Sequence, residues 1–112
     1  TGAFPPIAHE TTEMTGIRHL NGAIAMARWT PGTATSEFFI CVGDQPELDY
    51  GGKRNPDGQG FAAFGQVTEG VEEAIRISQV KTDFNDKPKT PEVIKSIRVD
   101  TQGVEYPAPQ KK

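Results

Sequence analysis

The sequence predicts a mainly β domain with one helix, and three observations carry that prediction. Val, Ile and Thr, which favour strands, make up 26 of the 112 residues, whereas Leu, which favours helices, occurs twice. Gly and Pro together supply 21 residues, an excess typical of many turns between short strands. A chain of this length forms about one domain with a single core.

Composition excludes several classes of protein. No run of 18 apolar residues is present, which argues against a membrane-spanning helix, and no basic segment followed by an apolar run suggests a signal peptide. The net charge of −3 argues against nucleic acid and anionic membranes as partners. A single Cys excludes an internal disulfide framework and leaves the compartment open, cytoplasmic or periplasmic. Because the sequence begins with Thr1 rather than Met, we expect a processed, cut or separately expressed piece.

Two strands are predicted in the first half of the chain, after an irregular segment that covers residues 1–21. In Gly22–Arg28, larger apolar residues alternate with Ala, a period of two that is typical of a strand packed tightly on its second face. The apolar run Glu37–Val42 predicts a strand with both faces covered. Since adjacent side chains of a strand point to opposite faces, we expect only one of Phe38 and Phe39 to fill the core.

A polar, glycine-rich loop is predicted over residues 43–60, and loops of this length are usually functional or mobile. A third strand follows at Phe61–Val67. Thr68 is a candidate cap for a helix whose apolar face has helical spacing. That face comprises Val71, Ala74, Ile75 and Ser78. A last strand is predicted at Val93–Asp100, with Ile97 and Val99 on one face, and residues 104–112 are expected to form a loose tail.

Reactive side chains give little support to nucleophilic or metal chemistry. Cys41 lies in the middle of an apolar run, and we expect a buried, inert thiol there. His9 and His19 have no Cys or His partners at metal-ligand spacing, so we expect no metal and no cofactor. Asp49 and Asp57 lie in the glycine-rich loop without the alternating oxygen ligands of a calcium loop. We therefore expect a solvent-exposed loop rather than a calcium site.

Four segments together resemble the C-terminal half of cyclophilin-type peptidyl-prolyl isomerases, in a bacterial style. They are Gly22–Arg28, Thr33–Cys41 with its Ser-Glu-Phe-Phe-Ile run, Leu48-Asp49, and Phe61–Gly70. The resemblance covers most of the chain, from about Pro6 to Val99. It implies that residues 1–112 are the C-terminal part of one domain, an eight-stranded antiparallel closed β-barrel capped by two helices. This chain would supply the later strands and the second helix.

The resemblance also implies a pocket for the proline ring of an extended peptide. Phe39 matches the floor of that pocket, Leu48 its wall, and Phe61 stands where many members carry His. The segment Ala27, Arg28 and Trp29 matches backbone that pairs with the substrate, although members often have Asn and Ala at its last two positions. Glu37 replaces the usual Gln, which removes an NH₂ donor and adds a charge. Thr33 and Ser36 match residues near a neighbouring specificity pocket.

The family's catalytic Arg lies on an earlier strand, in a Phe-His-Arg-type motif that does not occur before Gly22. The catalytic residue therefore stays unassigned. We expect a peptidyl-prolyl isomerase acting on proline-containing peptides or unfolded proteins, completed by a complementary N-terminal half of the same domain. The alternatives are a non-catalytic proline-peptide or chaperone-like module, and a proteolytic fragment without activity of its own. An Arg near the pocket would distinguish the enzyme from the binding module.

Overall fold

Three short strands form one antiparallel sheet in the computed structural model, which describes residues 5–85 and 87–105. The strands are β1 (Ala23–Met26), β2 (Phe38–Ile40) and β3 (Ala62–Gln66), in the order β2–β1–β3. Each lies inside a predicted strand and is one or two residues shorter at either end. The predicted positions of these three strands are therefore confirmed.

Small residues on the central strand allow aromatic rings from its neighbours to meet. Ala25 of β1 lies opposite Phe39 on β2 and opposite Ala63 on β3, and it is completely buried. Phe61, two residues before Ala63, is buried on the same face and completes this core. A larger side chain at position 25 would stand between the two rings, which explains the tightly packed second face predicted for this strand.

In the described part of the chain, two α-helices flank the sheet in sequence. The one-turn helix α1 (Thr12–Thr15), which was not predicted, begins at Thr11, whose hydroxyl accepts a hydrogen bond from the Met14 N–H. The predicted helix is present as α2 (Val71–Ser78).

The predicted cap of α2 is wrong. Gly70 takes the N-cap position, with φ of 87° and no side-chain cap. The chain turns into the helix through a left-handed conformation that Gly adopts readily, so Thr68 lies before the turn rather than at it.

The loop after β2 is folded by its own turns. It contains a 3₁₀ helix (Pro46–Leu48) and hydrogen bonds that close it, among them Gly51 N–H to the Gly58 carbonyl at 2.7 Å. Most of its residues are exposed, as expected for a polar surface loop. The side chains of Asp49 and Asp57 are only 20% and 28% exposed, because both pair with side chains outside the loop.

Two strand predictions need correction. The face of β2 that carries Phe38 is open rather than covered, since that ring is almost half exposed. Val93–Asp100 forms no strand, and every residue in it is exposed. A strand needs a neighbour for its backbone hydrogen bonds, and none within the described residues pairs with this segment.

The described residues form the three-stranded sheet, and closure into a barrel is not seen among them. Residues 104 and 105, at the start of the predicted tail, have no regular structure, and the rest of that tail lies outside the described residues. Among the described residues, no helix combines the length and apolar character that crossing a membrane requires.

Candidate functional site

Three apolar side chains from separate segments converge on one face of the sheet. Phe39 comes from β2, Leu48 from the end of the 3₁₀ helix, and Phe61 from the residue before β3. The rings of Phe39 and Phe61 meet edge to face, with centroids 5.1 Å apart and planes at 81°. The Phe61 N–H donates to the Leu48 carbonyl at 2.9 Å, which fixes the loop end against the strand.

These side chains line an open cavity of about 360 Å³, called here the apolar cavity. Its lining residues are Ala27, Arg28, Phe39, Leu48, Arg54 and Phe61. The floor and walls are apolar and aromatic, and two cations lie at the rim. Such a cavity suits a compact apolar group carried on an extended chain.

A second opening of about 340 Å³, called here the side cleft, shares Ala27 and Arg28 with the apolar cavity. Its lining residues are Ala27, Arg28, Trp29, Thr33, Thr35 and Glu37. Trp29 is 91% exposed. Large exposed aromatic side chains are common at recognition surfaces. The two openings thus lie on either side of the segment that follows β1.

Arg28 separates the two openings, and its side chain is only 1% exposed. Its guanidinium donates to both carboxylate oxygens of Asp57, at 2.8 and 3.0 Å, and its Nε donates to the Gly60 carbonyl at 3.0 Å. Its terminal nitrogens also donate to the carbonyls of Trp29 and Gly60. The guanidinium carbon lies 5.4 Å from the centroid of the Phe61 ring, a cation–π contact.

The hydrogen bonds from Arg28 lower the pKa of Asp57, and the Gln59 N–H adds to the effect. A lowered carboxyl pKa keeps the ion pair charged throughout the neutral range. No sequence pattern predicts this pair, because its partners are 29 residues apart and belong to different segments.

His19 lies behind the apolar cavity and is almost fully buried. Its Nδ1 is 2.7 Å from a carboxylate oxygen of Asp49, and the same oxygen accepts from the His19 backbone N–H at 2.8 Å. The imidazole stacks on Phe39, with centroids 6.2 Å apart, and meets Phe61 edge-on at 6.5 Å. Sequence reasoning missed this supporting role, since the imidazole's contacts all lie at least 20 residues away.

The structure places eight of the nine predicted substrate-binding residues at one or both openings. Ser36 is exposed and lines neither. The hydroxyl of Thr33 is occupied within its own turn, where it accepts from the Trp29 and Thr30 N–H groups. Thr33 therefore shapes the wall of the side cleft.

The remaining reactive side chains lie outside this site. Cys41 is buried, and desolvation raises the pKa of its thiol, which fits the inert role expected for it. His9 lies against the Gln59 carbonyl, and partial burial lowers its pKa. Among the described residues, no three His, Cys, Asp or Glu side chains are grouped so as to hold a metal ion.

Comparison with known proteins agrees with the resemblance seen in the sequence. Residues 2–99 match the family described as cyclophilin type peptidyl-prolyl cis-trans isomerase/CLD. The chain belongs to this family.

Named relatives include peptidyl-prolyl cis-trans isomerase A of Dickeya dadantii, 40% identical over 100 residues, which are 85% of this chain and 50% of the relative. Peptidyl-prolyl cis-trans isomerase cyp18 of Streptomyces antibioticus is 40% identical over 99 residues, which are 84% of this chain and 58% of the relative. Peptidyl-prolyl cis-trans isomerase B of Escherichia coli K12 is 33% identical over 99 residues, again 84% of this chain and 58% of the relative. The chain therefore spans about half the length of the relatives it matches.

Proposed function

We propose that this chain carries the proline-binding part of a peptidyl-prolyl cis-trans isomerase. The observation that carries the proposal is the convergence of Phe39, Leu48 and Phe61 on one cavity beside the segment after β1. The ring of a prolyl residue would enter the apolar cavity, and the chain before it would run along the shared wall towards the side cleft. The substrates are proline-containing segments of peptides or unfolded proteins.

The backbone after β1 supports this path for the peptide. The Ala27 N–H donates to the Glu37 carbonyl at 2.9 Å, and the Trp29 N–H donates to the Thr33 hydroxyl at 3.0 Å. Among the described residues, the backbone N–H and carbonyl of Arg28 have no partner. An extended peptide would pair with Arg28 in the manner of an added strand.

Catalysis of this reaction needs no bond to be made or broken. Rotation about an X–Pro bond takes tens to hundreds of seconds without a catalyst. A surface that fits the twisted amide better than either planar isomer accelerates the rotation. Twisting weakens the amide resonance and makes the prolyl nitrogen a better acceptor, so a positioned N–H donor stabilises the transition state.

Arg28 is not a suitable donor for that nitrogen. A guanidinium has five N–H groups, and the five hydrogen bonds from Arg28 engage acceptors on Trp29, Asp57 and Gly60. This observation favours a second candidate function for the chain by itself, a module that binds proline peptides and turns them over poorly. The catalytic donor would then come from another segment of the domain.

We further propose that the sheet is completed by a complementary segment, the earlier half of the same barrel. The outer strands β2 and β3 each have one unpaired edge among the described residues, and such edges favour pairing with another strand. Exposed apolar side chains on the sheet, Phe38 and Phe64, add surface that a further layer would cover.

The proposed function is tested by Phe39→Ala in the full-length gene product. Binding of an Ala-Pro peptide is measured by isothermal titration calorimetry. Phe39→Ala removes the ring that lines the apolar cavity and contacts Phe61, so binding of the peptide should be lost. Lys53→Ala is the matched control, because this exposed loop residue lines neither opening. Equal effects of the two variants would contradict the proposed site.

A further inference from the structure

Arg28 connects the end of β1 to the glycine-rich loop. Its partners Asp57 and Gly60 are 29 and 32 residues further along the chain. The bond to Asp57 has two points, one to each carboxylate oxygen, which fixes the orientation of the guanidinium as well as its position. The Asp57 side chain is 28% exposed, so the carboxylate closes the guanidinium off from the solvent.

The same guanidinium covers one wall of the apolar cavity. Phe61 follows Gly60 directly, and Arg28 lies over its ring. On the other side of the segment, the Phe61 N–H is bonded to Leu48, and a Cβ at Gly60 would stand 2.3 Å from the Leu48 carbonyl oxygen. The Gly60-Phe61 segment is therefore held between Leu48 and Arg28, with no room to move towards Leu48.

We propose that Asp57 is a positioning residue for prolyl-peptide binding: through Arg28 it holds the glycine-rich loop against β1 and fixes the Phe61 wall before a peptide arrives. The inference rests on the function proposed above. An almost fully buried cation is costly without a charged partner. Without the carboxylate, the guanidinium would turn towards water, and both its contact with Phe61 and its bonds to Gly60 would be lost. A wall that must be ordered during binding lowers affinity.

The effect should appear in binding rather than in the rotation step. Asp57 is not among the residues that line either opening, and the Phe61 wall contacts the prolyl ring equally in the ground state and the transition state. Loss of such uniform binding raises KM and leaves kcat unchanged. A role confined to overall stability would lower the unfolding midpoint without this division between KM and kcat.

The experiment uses Asp57→Asn in the full-length gene product. Asn keeps the shape of the side chain and one oxygen, which can still accept the Gln59 N–H that Asp57 binds at 2.9 Å. It removes the charge and replaces the second acceptor of Arg28 by an NH₂ donor. Glu69→Gln makes the same chemical change at an exposed residue that lines neither opening. Affinity for an Ala-Pro peptide is measured by isothermal titration calorimetry, and turnover by NMR exchange between the cis and trans peptide.

We expect Asp57→Asn to raise KM and the peptide Kd about three- to tenfold with kcat within twofold of wild type, and Glu69→Gln to change neither. Arg28→Lys, which keeps the charge but loses the two-point geometry, should raise Kd by a similar factor. Adding Asp57→Asn to it should have little further effect, because Asp57 acts through Arg28. If Asp57→Asn does not fold, the rise in peptide Kd caused by Arg28→Lys tests the same role.

Wild-type Kd in Asp57→Asn, or a fall in kcat at constant KM, would overturn the positioning role and leave the proposed function standing. If Asp57→Asn does not fold, a wild-type Kd in Arg28→Lys would overturn the positioning role instead. Independent, additive effects of the two substitutions on Kd would also overturn it. A wild-type protein that neither binds nor isomerises the peptide would overturn both proposals together.

Discussion

Glu37 brings an exposed carboxylate to the side cleft that Trp29 also lines. The charge of Arg28, on the shared wall, is already matched by Asp57, so the charge of Glu37 is available to a ligand. An exposed indole and a carboxylate in one cleft suit a Lys or Arg side chain. We therefore infer that the side cleft favours peptides with a basic residue two positions before the proline.

We predict that a peptide with Lys two residues before Pro binds about two- to fivefold more tightly than its norleucine analogue. Exposed ion pairs contribute about 0.2–1 kcal/mol, which sets this range. The preference should disappear in Glu37→Gln and at about 1 M salt, where exposed charges are screened. Calorimetric titration of the full-length protein measures this preference, with Glu69→Gln as the control. A preference that survives in Glu37→Gln would contradict this assignment.

His19 supports the site from behind, through its bond to Asp49 and its contacts with two rings. We predict that His19→Ala lowers the free energy of unfolding by about 2–4 kcal/mol, because it leaves a cavity and removes the imidazole that Asp49 contacts. His9→Ala, at a less buried residue with one long hydrogen bond, should cost under about 1 kcal/mol. Urea unfolding of the full-length variants measures both, and equal losses would contradict the supporting role.

At the scale of elements, the glycine-rich loop, which contains the 3₁₀ helix, leads into β3 and places Phe61 at the apolar cavity. Gly58 and Gly60 both have positive φ, 70° and 64°. They differ in the space around them, since a Cβ at Gly58 meets nothing within 4 Å, whereas one at Gly60 would overlap the Leu48 carbonyl. An Ala at Gly58 therefore tests the energetic cost of the backbone conformation alone, whereas an Ala at Gly60 adds the cost of a steric clash.

We predict that Gly58→Ala costs about 1 kcal/mol of stability, the ordinary penalty of a left-handed conformation. Gly60→Ala should cost several times more and weaken peptide binding, because Phe61 must move with the displaced backbone. Denaturant midpoints and peptide titrations of the two variants measure these effects. Similar values for both would show that the close approach of Gly60 to Leu48 is absent in solution.

The ion pair of this loop with β1 also predicts a dependence on pH. The folded-state pKa of Asp57 is lowered, first by its hydrogen bonds from Arg28. Its contribution to stability is therefore present above the ordinary carboxyl range and is lost as the pH falls through the lowered folded value. NMR titration of the Asp57 carboxyl should give a midpoint below the ordinary pKa of an Asp side chain. Arg28→Lys should move this midpoint upwards, and an unchanged midpoint would contradict the two-point contact.

At the scale of the whole molecule, unpaired strand edges and an open apolar face are features that a complete barrel would cover. We predict that the isolated 112-residue chain has little or no isomerase activity, because the five hydrogen bonds of Arg28 leave it unsuited to serve the prolyl nitrogen. If the isolated chain isomerises a proline peptide as fast as a complete cyclophilin does, this prediction is wrong.

We also predict that the chain, when ordered, is paired with a complementary segment. Native mass spectrometry or sedimentation of the natural protein should detect that segment in the folded particle. A strand-swapped homodimer is less expected, since two copies of one half do not make one barrel. A folded monomer of the 112-residue chain, with sharp and dispersed amide signals, would contradict the prediction.

The sequence by itself determined the family, the positions of β1, β2, β3 and α2, and the residues that gather around the apolar cavity. Those features depend on local patterns, a period of two or of 3.6, and on motifs contained in single segments. The tertiary structure alone decided the Arg28–Asp57 pair and the place of His19, because each joins residues about 30 positions apart. It also decided that Val93–Asp100 is not a strand, since a strand exists only where a neighbour receives its hydrogen bonds.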